Sequence, residues 1–245
     1  MTFDIFATLK IYLLPFVFGM IPLVIWLIFF LLRDLKRPEP KKVILHCFLM
    51  GILATAITLG VNYIFEGFSK INWPGIYNII KVHDNFYAFL IAATIEELSK
   101  FLLIYLTLRK SPHLDEAIDP MIYMIVAAIG FSSVENYLSI FGQLSTIAIP
   151  LQTLTARFLG ANLLHIICSG IIGFFWSWQL KKKKIFLIPI GLVIGIVFHA
   201  FFNTLVFTHG VFAMALMFIG VFVGASILLW MFDVIEDLHT KVKNN

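Results

Sequence analysis

Glu96 and Glu97 stand side by side in an otherwise apolar stretch, with Lys100 one helical turn further on. Glu135 and Asn136 lie in a second such stretch, Asn162 and His165 in a third, and His199 and Asn203 in a fourth. An ionisable side chain near the middle of a bilayer costs roughly 2.5–3.5 kcal/mol on insertion scales, and residues placed there usually serve function. Carboxylates and imidazoles held away from bulk water suit the activation of water. One carboxylate takes a proton from water while imidazole and amide donors stabilise the oxyanion that forms. Two adjacent glutamates resist ionising together in a low dielectric. Lys100 would hold one as carboxylate and leave the other with a raised pKa, which equips a single site with a base and an acid. Other hydrolytic plans match less well. The chain has no His-Glu-x-x-His for a zincin, and no aspartate deep in an apolar stretch for an aspartyl dyad.

These residues need elements to carry them, and the composition says which kind. Of the 245 residues, 60% are apolar and 13% charged, against about 25% charged in a soluble domain. The mean hydropathy is +0.96. Such a chain cannot cover a water-facing surface of its own, and it is far too apolar to stay disordered. A spanning helix needs about 20 mostly apolar residues. Seven stretches qualify, roughly Ile11–Leu32, Val43–Phe65, Phe86–Leu108, Ile118–Phe141, Phe158–Trp178, Ile185–Phe207 and Val211–Phe232. The first is too long for a signal-peptide core and lacks a small-residue cleavage site. The expected fold is all-α: a polytopic membrane helix bundle of about seven transmembrane helices, forming a single integral-membrane domain over residues 1–245. The catalytic core is expected at approximately 84–208. Cys47 and Cys168 each sit in an apolar run and supply neither a disulfide framework nor a metal knuckle. The net charge of +4 reads as membrane anchoring, with no nucleic-acid partner implied.

Lysine and arginine set the orientation. Arg33, Lys36, Arg37, Lys41, Lys42, Arg109, Lys110, Lys181 to Lys184, Lys241 and Lys243 fall on one side, while Lys10, Lys70, Lys81 and Arg157 fall on the other. The N-terminus is therefore expected outside and the C-terminus in the cytoplasm. At 100° per residue, Glu96 and Glu97 diverge by about 100° and Lys100 projects between them. Asn162, His165 and Ser169 share a stripe about 60° wide, and His199 and Asn203 are neighbours one turn apart. With a rise of 1.5 Å per residue, the carboxylates and imidazoles fall in one layer roughly 10 Å thick, from the membrane centre into the outer leaflet. Four helices contribute to that level, as a single site requires.

Each feature also has a plainer reading. A lone Glu–Lys pair can be a packing ion pair, and a lone intramembrane His or Asn an interhelical hydrogen bond. His46, His83, His113, His209 and His239 lie in loops or near helix ends, where the plain reading holds. Five acidic and basic groups at one depth outweigh it. A proton-coupled transporter or ion carrier would use buried Glu, Lys and His equally well, but no repeats or matched broken helices accompany them here. Gly130-Phe131-Ser132-Ser133 resembles the serine motif of rhomboid proteases, a scheme that leaves Glu135 without a part.

Glu96-Glu97-Leu98-Ser99-Lys100 resembles the E-E-x-x-K pattern of the PrsW family of intramembrane proteases. Phe131 to Asn136 resembles its F-x-x-x-E-N, preceded by Asp115 and Asp119; His165 resembles its isolated histidine, and His199 to Asn203 its closing H-x-x-x-N. The related CAAX-prenyl endopeptidases carry E-E-x-x-x-R and F-x-x-x-H instead, so Lys100 and Glu135 set this chain apart from that branch. The resemblance implies a glutamate-type endopeptidase in a bacterial cell membrane, cutting a single-span membrane protein, by family precedent an anti-sigma factor. It implies Glu96, Glu97, Lys100, Glu135, His165, His199 and Asn203 as the catalytic residues. No cofactor is expected. Because the family has also been classed with metallopeptidases, a divalent metal such as zinc stays open, with Glu96, Glu97, Glu135, His165 and His199 as the ligands it would use.

Overall fold

A computed structural model describes residues 5–34, 37–72, 86–141, 148–208 and 210–243. Eight α-helices are present among them and no strand: α1 (Ile5–Leu31), α2 (Lys41–Asn72), α3 (Phe86–Leu108), α4 (Asp119–Phe141), α5 (Ala148–Leu159), α6 (Ala161–Lys182), α7 (Leu187–Phe207) and α8 (Val211–Lys243). The seven expected spans fall on α1 to α4 and α6 to α8. Among the described residues, five segments are long and apolar enough to cross a membrane: Lys41–Gly67, Asp119–Phe141, Thr153–Lys182, Leu187–Phe207 and Val211–Glu236. Helix α3 is as long as α4 but carries Glu96, Glu97 and Lys100 in its middle. The chain is a multi-pass membrane protein. Lys81, His83, His209 and the expected start of the core at residue 84 lie outside the described residues.

Helix α4 is the hub. It packs on α6, α2 and α1, and from Asp119 to Ser132 every residue is buried. A helix apolar all round belongs in the middle of a bundle, and Met121 to Ile129 is apolar without interruption. Helix α6 is buried from Asn162 to Phe174 and lies between α4 and α7. The outer helices turn apolar side chains outward to lipid, among them Val193, Val197 and Phe201 of α7 and Phe218, Phe222 and Val223 of α8.

Lipid tails are as apolar as leucine, so spanning helices associate through close backbone contact at small residues. Helices α2 and α4 do so twice. A Cβ on Gly51 would lie 2.0 Å from the Ala127 carbonyl oxygen, and one on Gly130 would lie 2.1 Å from that of Phe48. Alanine at either position must push the two backbones apart, and overpacking of this kind costs typically about 1–3 kcal/mol. Gly130→Ala is therefore expected to lower the thermal unfolding temperature in detergent. Gly60→Ala, with open space around the new Cβ, should not; equal melting of the two variants would refute the close-packing account.

The sequence places a single span from Phe158 onward. The structure instead divides the apolar stretch Thr153–Lys182 at Gly160, whose backbone (φ −111°, ψ −97°) is not helical. The bend separates α5 from α6, and Trp26 of α1 fixes α5 by donating from Nε1 to the Phe158 carbonyl at 3.1 Å. Position 157 thereby faces α4.

Candidate active site

Helices α3, α4, α6 and α7 each deliver one part of a continuous polar network. Glu97 of α3 is fully buried. Its Oε1 accepts from Lys100 Nζ at 2.6 Å and meets His199 Nδ1 at 2.9 Å. Its Oε2 accepts from the Ser169 hydroxyl at 3.3 Å. Lys100 is also fully buried; its ammonium donates to His165 Nδ1 at 3.1 Å and stands 4.6 Å over the Phe131 ring. An ammonium has donors only, so Nδ1 of His165 accepts and Nε2 carries the proton. That Nε2 lies 2.9 Å from Glu135 Oε2. The same logic runs the other way at His199. Its Nδ1–H points at the Glu97 carboxylate, which leaves the Nε2 lone pair facing Glu96 Oε2 at 3.6 Å. The two imidazoles meet edge to face, 4.9 Å between centroids.

Glu96 differs from its neighbour in chain. Its Oε2 is buried and makes no hydrogen bond, and the side chain retains 14% exposure. It lines a cavity of 480 Å³ together with Glu135, His165, His199 and Asn203. The rest of that wall is largely apolar, including Leu164, Phe202, Val206, Met214 and Met217.

The expected residues are thus together at one level, with two differences. Lys100, expected between Glu96 and Glu97, bonds to Glu97 and His165. The ammonium finds two acceptors there, one on its own helix and one on α6, while Glu96 turns the other way. Glu97 itself lies behind His199 and is not part of the cavity wall.

Arg157 is the residue that sequence reasoning missed, because it read only as one of the cations on the outer side. Its guanidinium donates to Glu135 Oε2 at 2.9 Å, to Ser139 Oγ at 3.2 Å and to Asn136 Oδ1. Asn136 passes the contact on, donating to the Gly19 carbonyl of α1 at 2.9 Å. The signal available was its place eight residues before His165, close enough to share that histidine's partner. Asn162, by contrast, is buried with neither side-chain polar atom bonded.

The donor set also suits a divalent metal. One ligand atom each from Glu96, His165 and His199 lie within 4.8 Å of one another, and two His with one Glu is a known three-ligand set for catalytic zinc. The unbonded Glu96 Oε2 and the His199 Nε2 lone pair fit such a role without rearrangement. His165 fits in its other tautomer, with Lys100 giving a proton to Nδ1 as the Nε2 proton leaves to solvent. Glu97 would then orient His199 from behind, as carboxylates do for metal-ligating histidines.

The sequence model described as PrsW family intramembrane metalloprotease matches residues 39–231. Protease PrsW of Geobacillus kaustophilus is 27% identical over 172 residues, 69% of each chain. Protease PrsW of Clostridioides difficile is 26% identical over 225 residues, 88% of this chain and 86% of that one. Protease PrsW of Bacillus subtilis is 25% identical over 166 residues, 68% of this chain and 67% of that one. No solved structure matches. A match over most of the chain, spanning all four helices of the polar network, makes this bacterial membrane protein a member of the PrsW family of intramembrane proteases.

Proposed function

We propose that the chain hydrolyses a peptide bond of a single-span membrane protein, an anti-sigma factor by family precedent, with Glu96 as the base that activates water. The observation that carries this is the contrast between the two adjacent glutamates. Glu97 is consumed by Lys100, Ser169 and His199, whereas Glu96 lines the cavity and keeps a buried, unbonded oxygen opposite a histidine lone pair. Water held between Glu96 Oε2 and His199 Nε2 gives its proton to Glu96 as its oxygen bonds to the scissile carbonyl carbon. Glu97 fixes the His199 ring for that task. Of the two residues expected to hold the oxyanion, His199 has its Nδ1–H committed to Glu97, so Asn203 is the donor. Collapse of the intermediate breaks the C–N bond, and the proton on Glu96 passes to the leaving amine. The apolar wall of Phe202, Val206, Met214 and Met217 receives the substrate's side chains. The cation distribution puts the N-terminus outside and this cavity in the outer leaflet.

A zinc-type ion at Glu96, His165 and His199 would polarise the scissile carbonyl and lower the pKa of bound water. In that case Glu135, next to His165, is the carboxylate left to take the proton. The test is cleavage of a single-span test substrate by purified protein in detergent, with metal analysis of the same sample. The expected result is cleavage that survives a strong chelator. Loss with chelator and return with zinc would make the glutamate and histidines ligands, and no cleavage under any condition would sink the proteolytic reading.

A further inference from the structure

A second cavity, of 260 Å³, reaches the same carboxylates from the opposite side. Thr55, Thr58 and Asn62 of α2 line it, with Leu138 and Ser139 of α4. Glu96, Glu135 and Arg157 belong to the walls of both cavities, so these three side chains form the partition between them. The two spaces differ in chemistry. Beyond the partition, the larger is walled mainly by apolar side chains, while the smaller sets two threonine hydroxyls, an amide and a serine hydroxyl among Leu59, Phe131 and Leu138.

One of those hydroxyls is unusual. A threonine inside a helix ordinarily bonds back to the carbonyl four residues earlier, as Thr94 does to Leu90 at 2.6 Å and Thr204 to Ala200 at 2.8 Å. Thr55 does so too, reaching both the Gly51 and Phe131 carbonyls. Thr58 does not: it is 4% exposed and its Oγ1 has no partner. Among the described residues of this wall, the other buried polar atom without a partner is Glu96 Oε2. A buried hydroxyl left unbonded is costly, and a polar space of this size holds several waters at about 30 Å³ each, with partners to bond them.

We infer that the α2–α4 cavity delivers hydrolytic water to Glu96, separately from the cavity that takes substrate, with Thr58 as the residue that positions that water. Thr55 to Asn62 spans about 10 Å along α2 at 1.5 Å per residue, so the polar wall runs from the catalytic level toward one membrane face. Arg157 bonds to both Glu135 and Ser139 of α4, which holds its guanidinium in the partition between the two spaces. The inference rests on the proteolytic reading for its catalytic consequence, but not for the wetness of the cavity.

Two measurements test it. The first needs no activity: labelling of Thr58→Cys by a small, charged, water-soluble thiol reagent. Labelling should be at least about tenfold faster than for Leu53→Cys, whose position is exposed on the apolar surface of α2, and than for the parent chain, in which Cys47 and Cys168 are buried. Labelling no faster than at Leu53→Cys overturns the wet cavity. The second is kinetic, on the single-span test substrate. Thr58→Val should lower kcat about tenfold with KM within a factor of two, and Thr58→Ser should restore it. Met217→Trp, across the partition, should instead raise KM. A Thr58→Val variant whose loss lies in KM would make the smaller cavity a substrate subsite and refute the inference. A parent chain that cleaves nothing refutes the proteolytic reading, and the labelling rates then decide the cavity alone.

Discussion

Glu96→Gln should lower the turnover of a single-span substrate by about 10²–10⁴-fold, the usual contribution of a positioned general base, while the protein melts at the parent temperature. Both halves follow from the geometry. Glutamine keeps the shape of the side chain and removes the atom that accepts water's proton. Stability is spared because Glu96 Oε2 makes no hydrogen bond that the change could break. Glu97→Gln is the contrasting variant. It withdraws the carboxylate that takes the Lys100 ammonium, the Ser169 hydroxyl and the His199 Nδ1–H, so it should lose both activity and thermal stability. Glu96→Gln retaining more than about a tenth of parent turnover would show that the base lies elsewhere, with Glu135 next in line.

Lys100→Met should destabilise the folded bundle by about 3–5 kcal/mol, since removing one partner of a buried ion pair leaves the other charge uncompensated. Lys100 and Glu97 are both fully buried, 2.6 Å apart. The same change strips His165 of the donor at Nδ1, which frees its tautomer and loosens its hold on Glu135, so cleavage should fail as well. Adding Glu97→Leu separates the two effects. Replacing both members of a buried pair by apolar groups is often nearly neutral for the pair itself, so the double variant should regain the part of the thermal stability not held by the Ser169 and His199 bonds, and none of the activity. Thermal unfolding in detergent, read beside cleavage, checks both. A double variant as unstable as Lys100→Met alone would mean that the ammonium is held by the Phe131 ring and His165 rather than by Glu97.

The bundle itself was legible because a bilayer punishes polarity so heavily. Seven apolar stretches and the few ionisable residues inside them can be found by counting, and their helical spacing places them at one depth. The bend at Gly160 was not legible: nothing in the apolar run from Thr153 to Lys182 separates a straight span from two helices. What makes the bend visible is Trp26, from a helix more than a hundred residues away, binding the Phe158 carbonyl. The same bend makes Arg157, expected only as a cation on the outer side, the partner of Glu135, Asn136 and Ser139.

The chain alone determined which residue types share the membrane's interior, at which level, and on which stripe of each helix, because insertion energetics and the 100° step per residue act within a single helix. Only the tertiary structure decided how those stripes are turned toward one another. Glu96 and Glu97 are equivalent in a list of residues. The packing of α3 between α2 and α7 buries Glu97 behind His199 and leaves Glu96 on the wall between two cavities. Lys100 lay within reach of either glutamate by helix geometry, and the His165 nitrogen on α6 settled the choice. Helix periodicity fixes angles inside one helix but not the rotation of one helix against the next. That rotation depends on where backbones can close on each other, as at Gly51 and Gly130, and on which buried donors find acceptors on a neighbouring helix.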